Sequence, residues 1–333
     1  MLKVNSKKVK GKRAEGGQRA VVPPACYLLP FALCFLAACV APGPPPTPTS
    51  ALDGQNAAVA TAEAAGDTQA QAAALYERGN LRFDRGELAE AIADYSAAVA
   101  LDPTHSRAFH NRGLAHAALG DTEAALADYN EAIRLDPAYV RAHQNRLLLL
   151  EQLAAAAADP AALLAQIADG NAQLAALEPE GAALYRYREG VARARLRDTA
   201  GARAAFDAAL RADPQQVDAL YERGLLSFAE GQFDAALADF DAALQLSPRA
   251  ANAFYARGLA HQAAGDLERA VADLSQAIAL RPEGYPEALL ARAAAHAAAG
   301  RASQARADLE RLAELDVDEL IQRGAAQVEA SLP

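Results

Sequence analysis

Residues 125–137, ALADYNEAIRLDP, decide the fold. Ala125, Tyr129, Ala132 and Ile133 recur at spacings of three and four, the period of one helix face. Pro137 closes the segment, because proline stops a helix and biases the residue before it away from helical angles. The pattern returns as AIADYSAAVALDP (91–103), ARAAFDAALRADP (202–214), ALADFDAALQLSP (236–248) and AVADLSQAIALRP (270–282). Closing prolines stand at 103, 137, 179, 214, 248 and 282, at spacings of 34, 42, 35, 34 and 34 residues.

A second helical segment lies upstream of each copy. These are YERGNLRF (76–83), HNRGLAHA (110–117), YREGVARA (187–194), YERGLLSF (221–228) and YARGLAHQ (255–262). Gly86-Glu87, Gly120-Asp121 and Gly265-Asp266 separate the two halves. The glycine ends one helix at low steric cost and the acid favours the next N-terminus. A small residue recurs at Gly79, Gly113, Gly190, Gly224, Gly258 and Ala293. A larger one recurs sixteen positions later, at Tyr95, Tyr129, Phe206, Phe240, Leu274 and Leu309.

These columns resemble the tetratricopeptide repeat, a 34-residue helix–turn–helix unit, over roughly residues 72–317. The resemblance implies an all-α, right-handed α-solenoid of about seven units with a C-terminal capping helix near 318–330. The third unit departs from the pattern. Leu147 stands where glycine is expected, and the extension AAAAADPAALLAQ follows. A longer first helix to about Ala158 and a second from Pro160 are expected there. In five units an arginine precedes the small residue and an aspartate precedes the large one: Arg78/Asp94, Arg112/Asp128, Arg223/Asp239, Arg257/Asp273 and Arg292/Asp308. Their joint recurrence predicts an ion pair within each hairpin, since a catalytic pair is not needed five times. The third unit keeps Arg146 with Gly170, and the fourth has Glu189 with Ala205, so both are held differently.

His116, His261 and His296 share one column, but equivalent helices are about 8–10 Å apart and a zinc ligand sits about 2.1 Å from its metal. Packing accounts for them better, and no metal or cofactor site is expected. No phosphate-cradling loop or nucleophile elbow is present, so the chain reads as a non-enzyme.

The resemblance implies that the first helices line the concave side. Tyr76, His110, Tyr187, Tyr221 and Tyr255, with Phe83 and Phe228, are the candidate partner-binding residues there. Gln144 and Leu290 complete the column. Aromatic residues with polar tips suit a protein or peptide partner. Of the basic and asparagine residues by which some members hold acidic peptide ends, Asn80 alone fits.

The N-terminus reads differently. Residues 1–38 carry seven basic side chains and one acid, and Ala25–Ala38 is uncharged. Such a run is short for a bilayer span and matches a signal-peptide apolar region. Leu36-Ala37-Ala38-Cys39 resembles the lipobox of bacterial lipoproteins. It implies cleavage between Ala38 and Cys39, with acylation, including palmitate, at Cys39. Each acyl chain adds about 0.8 kcal/mol per buried CH2. All three cysteines, Cys26, Cys34 and Cys39, lie in this region, leaving the mature chain without a free thiol in an oxidising periplasm. The division expected is a signal peptide at 1–38, a lipid-anchored Pro/Ala-rich linker at 39–71 and a solenoid at 72–333.

The whole chain carries a net charge of −10 and is 52% hydrophobic, with 6% aromatic residues and no tryptophan. Alanine dominance favours close helix packing, and acidity argues against a nucleic-acid partner. The functional expectation is a periplasm-facing, outer-membrane scaffold that binds a protein or peptide in its groove, with no small-molecule substrate. The alternatives are an envelope-assembly lipoprotein using its convex face or self-association, and an enzyme with a site at 151–182.

Overall fold

A computed structural model describes residues 48–281 and 284–333, with side chains from residue 51 onward. The signal peptide, Ala38, Cys39, the start of the linker and the closing residue Pro282 lie outside the described residues.

The described residues form sixteen α-helices. Seven antiparallel hairpins account for fourteen of them. In order these are α2 (Thr68–Asp84) with α3 (Leu88–Leu101), α4 (Ser106–Ala118) with α5 (Thr122–Leu135), and α6 (Val140–Ala156) with α7 (Ala161–Leu177). Then follow α8 (Ala182–Arg195) with α9 (Thr199–Ala212), α10 (Val217–Ala229) with α11 (Phe233–Leu246), α12 (Ala251–Ala263) with α13 (Leu267–Ala279), and α14 (Pro286–Ala298) with α15 (Ala302–Ala313). A final helix, α16 (Glu319–Ala330), rests its Ile321 and Ala325 on the cluster around Leu289. The seven units and the cap expected from the repeat are present.

One boundary is corrected. Residues 48–65, expected within the linker, form a helix, α1 (Pro48–Ala65). Val59 is buried in a cluster with Ala74, Leu75 and Ala98. Arg78 Nη1 donates to Asn56 Oδ1 at 3.2 Å. Gly66, at a positive φ of 66°, turns the chain, and Asp67 accepts from the Ala70 amide to cap α2. The low hydrophobicity of 51–70 left this stretch reading as disordered or weakly helical, because only Val59 and Ala62 are buried. The folded part therefore begins before residue 72.

Within each regular hairpin the large residue fills the space left by the small one. A β-carbon added at Gly79, Gly113 or Gly224 would come within 2.7–2.8 Å of Tyr95, Tyr129 or Phe240. Tyr95, Tyr129, Phe206, Phe240 and Leu274 are buried against these backbones.

The five ion pairs are all formed, each with two nitrogens of one guanidinium on two carboxylate oxygens. In the fifth unit Arg223 Nε and Nη2 reach Asp239 at 2.9 and 2.6 Å. In the sixth Arg257 reaches Asp273 at 2.7 Å twice. The remaining nitrogen of each arginine ties the hairpin to the one before it. Arg112 donates to Ser96, Arg223 to Asp207, Arg257 to Asp241 and Arg292 to Ser275. These acceptors directly follow the large residue of the preceding unit. Arg78 reaches Asn56 in the same way, so α1 takes the place of a preceding outer helix. Arg146 keeps this link through Asn130 at 2.6 Å and adds Gln166 in place of a carboxylate. Glu189 instead pairs with Arg186 and Arg193 of its own helix.

The third hairpin is built with its sizes reversed. Leu147 is buried, and it is Gly170 on the other helix that leaves room for it, with a β-carbon there 3.1 Å from Leu147 Cδ1. Asn171 occupies the large-residue position, fully buried, with its amide donating to Ile167 O. As a result α7 packs more extensively on α8 than on its own partner α6, the reverse of every other hairpin.

Candidate functional site

The first helices of successive hairpins touch one another at α2/α4, α8/α10, α10/α12 and α12/α14, while the second helices make no comparable approach. The first helices therefore form the inner, concave layer. The backbone of α6 comes no comparably close to α4 or α8, so this layer is wider around the third hairpin and is bridged there by side chains, Asn145 to His110 and Gln144 to Tyr185.

Tyr76, Tyr187, Tyr221 and Tyr255 are half-buried on the inner helices. Their rings also serve the fold. Tyr187 lies 6.2 Å from the Phe206 ring, Tyr221 lies 6.0 Å from Phe240, and Tyr255 lies 5.3 Å from Tyr285. Burial pushes the Tyr187 hydroxyl up to about 12, with Asp218 and Glu222 adding to the effect. Burial likewise raises the Tyr221 and Tyr255 hydroxyls, so these three phenols are neutral at physiological pH. Phe83 is half-buried near the end of α2. Phe228 packs on Phe233 across its own turn, at 5.9 Å.

His110 requires correction as a partner-binding residue, because it is only 4% exposed. Its Nδ1 lies 3.0 Å from Asn111 Oδ1 and 3.1 Å from the Tyr139 hydroxyl, and its Nε2 lies 2.9 Å from Asn145 Nδ2. The network continues from Asn111 to Asn80 Oδ1 at 2.8 Å and to the Tyr76 hydroxyl at 3.2 Å. Tyr95 also donates to Asn80, at 2.9 Å. His110 thus orients a polar surface and offers no free group of its own. Burial holds its imidazole below the ordinary value of 6.5, opposed by the hydrogen bond to Asn111 and reinforced by Arg141. The unfolded chain therefore binds this proton first as pH falls, so the contribution of His110 to stability is lost below about pH 6.5. Urea melts between pH 7.5 and 5.5 are expected to lose less stability in His110→Gln than in the wild-type protein.

Several inner-face residues were not singled out from the sequence. Arg107, Arg141 and Arg188 lie on α4, α6 and α8, and none makes an ion pair among the described residues. Arg107 and Arg141 both act electrostatically on Tyr139. Leu148 on α6 and Leu184 on α8 are each 44% exposed. Farther along, Asp218 and Glu222 on α10 and Glu287 on α14 carry the opposite sign. Burial raises the Glu222 carboxyl, and Asp218 raises it further. Basic side chains thus gather on α4, α6 and α8 and acidic ones on α10 and α14, with Glu178 beside Tyr185 among the former and Arg281 beside Tyr285 among the latter. Asn111 and Asn145 were legible as one column two residues before the small position, a spacing that sequence reading left unused.

His116, His261 and His296 do not converge. His116 lies 3.5 Å from Asp121 and His261 lies 3.9 Å from Asp273, each within its own hairpin. Among the described residues no group of three or more His, Cys, Asp or Glu side chains is placed to hold a metal ion. Among them, too, no helix is long and apolar enough to cross a membrane.

No curated protein matches the chain in sequence. Among solved structures, YrrB, described as a TPR protein with an unusual peptide-binding site, is 21% identical. It covers 60% of this chain and 97% of its own, with a TM-score of 0.48. PilW, described as a widely conserved type IV pilus biogenesis factor, is 23% identical over 66% of this chain and 97% of its own, also at 0.48. MamA from Desulfovibrio magneticus RS-1 is 21% identical over 53% and 94%, at 0.47. Family models match as well. One tetratricopeptide-repeat model covers 187–251 and 255–318, a second covers 106–139, and a TPR-repeat model covers 79–120. The stretch they leave between 139 and 187 is the hairpin with reversed sizes. Together the models span more than half of the chain, which carries tetratricopeptide repeats.

Proposed function

We propose that this protein is a non-catalytic adaptor that holds a peptide or an extended protein segment along its inner face. A lipid on Cys39 would anchor it to the outer membrane of a bacterial envelope, facing the periplasm. The observation that carries the binding half is the set of arginines without ion-pair partners, Arg107, Arg141 and Arg188, beside an ordered amide–tyrosine network. Charged groups of this kind steer and orient a partner more than they add affinity. The basic, apolar, Leu-Ala-Ala-Cys order of the N-terminus supports the anchor.

The test is a cross-linking pull-down from the envelope with wild-type protein, an Arg107→Glu/Arg141→Glu variant and an outer-helix control, Arg211→Glu. All three positions are exposed, so folding is expected to be unaffected. A partner lost only from the double variant supports the inner-face reading. A partner lost only from Arg211→Glu supports the convex face instead. Palmitate labelling that survives Cys39→Ser would contradict the anchor.

A further inference from the structure

The opening of the inner layer at α6 leaves a cleft between α6, α7 and α8. Its volume is about 200 Å3. Leu164, Ile167 and Ala192 form its buried floor, with Val191 and Tyr187 at the side. Glu151, Arg188 and Arg195 stand around it. The origin of the cleft lies in the sequence. Leu147 at the glycine position and Gly170 opposite it shift α7 toward α8, and the 42-residue spacing extends α6 to Ala156. No regular hairpin has these features.

We propose that this cleft receives an aromatic or large aliphatic side chain of a bound peptide, with an acidic residue of that peptide beside it. The inference rests on the inner-face reading and adds the class of segment that is recognised. Three observations support it independently. First, a buried apolar cavity of about 150 Å3 accommodates a benzene ring, so the cleft has room for a phenylalanine or leucine side chain. Second, Leu148 lies one turn before Glu151, and Leu184 lies one turn before Tyr187 and Arg188. These exposed leucines therefore share helix faces with the cleft-lining residues. Third, the charge around the cleft is net positive on a protein that is acidic as a whole. Neither Arg188 nor Arg195 has an ion-pair partner among the described residues. Burial holds the Glu151 carboxyl above its usual range, against the pull of Arg188, which further favours the guanidiniums as the charged groups there.

The experiment measures fluorescence anisotropy of labelled, end-blocked octapeptides binding the full-length protein. One peptide carries a central phenylalanine flanked by acids, the second replaces it with alanine, and the third keeps phenylalanine but is flanked by lysines. The acidic phenylalanine peptide is expected to bind at least about tenfold tighter than the alanine one, as burial of one such side chain implies. It is also expected to bind tighter than the lysine peptide. That advantage is lost in Val191→Trp, which fills the cleft. Should that variant misfold, Arg188→Glu/Arg195→Glu at the rim provides the same test. Equal binding of the phenylalanine and alanine peptides, or an unchanged affinity after the charge reversal, overturns the inference. If all three peptides bind alike and Arg107→Glu/Arg141→Glu abolishes binding, the inner-face reading stands and the cleft assignment falls. If none binds the wild-type protein, both fall.

Discussion

Phe240→Ala is expected to lower the unfolding free energy by about 4 kcal/mol, because a fully buried phenylalanine is lost and the two helices can close only partly over the space. The expectation becomes specific when combined with Gly224. In the wild-type background Gly224→Ala places a β-carbon 2.7 Å from the Phe240 ring and costs about 1–3 kcal/mol through overpacking. In the Phe240→Ala background that ring is absent. The same change then gains up to about 1 kcal/mol from helix propensity. Chemical denaturation of the four proteins forms a double-mutant cycle. A Gly224→Ala effect of the same sign and size in both backgrounds would show that the two positions are independent, contrary to the packing described.

Asp94→Ala is expected to cost about 3 kcal/mol. Asp94 is 3% exposed and receives Arg78 through two nitrogens and Arg82 through a third, at 2.6–2.9 Å. Removing it strands two half-buried guanidiniums, and an uncompensated charge costs more than the pair contributes. Arg82 Nε already has no partner, and the other acceptor of Arg82 is the Glu90 carbonyl, which is neutral and 3.4 Å away. Asp128→Ala strands only Arg112 and is expected to cost less. Replacing that pair together, as Arg112→Met/Asp128→Leu, is expected to change stability by about 1 kcal/mol or less, because apolar packing substitutes for the ion pair. Denaturant midpoints of the three variants check the order. A pair replacement as damaging as Asp128→Ala would mean that the bridge itself, rather than the stranded charge, carries the energy.

The repeat was legible because its signal is redundant. Gly224, Asp239, Phe240 and Pro248 each mark one physical requirement of the same hairpin, and they recur together in four copies. The ion pairs followed from two columns that vary together. Their second half, the link from each arginine to the preceding hairpin, was missed. Ser96, Asn130, Asp207, Asp241 and Ser275 differ in type, and only their position after the large residue unites them. Helix α1 was legible only as one of two readings of residues 51–70, disordered or weakly helical, and its packing on the first hairpin was not. Its contacts use Val59, Ala62 and Asn56, a pattern too weak in hydrophobicity to distinguish it from a tether.

The inner face was legible only in part. Columns of tyrosine marked the first helices, but column position does not separate a side chain presented outward from one drawn into a network. His110 shares the column of Tyr221, yet Tyr139, Asn111 and Asn145 close around it. The reversed third hairpin could be seen as an irregularity in sequence. Its consequence, a cleft where two inner helices separate, depends on where α7 moves once Leu147 displaces it.

Photo-cross-linking from exposed leucines distinguishes the two faces most directly. A photoreactive phenylalanine analogue replaces Leu148 or Leu184 on the inner helices, or Leu101 or Leu246 at the ends of outer helices α3 and α11. All four positions are exposed, so the probe itself is tolerated equally. In cells, cross-links to one shared partner are expected from positions 148 and 184 and none from 101 and 246. Cross-links from 101 and 246 with none from 148 and 184 would contradict an inner-face adaptor and place the partner on the convex side.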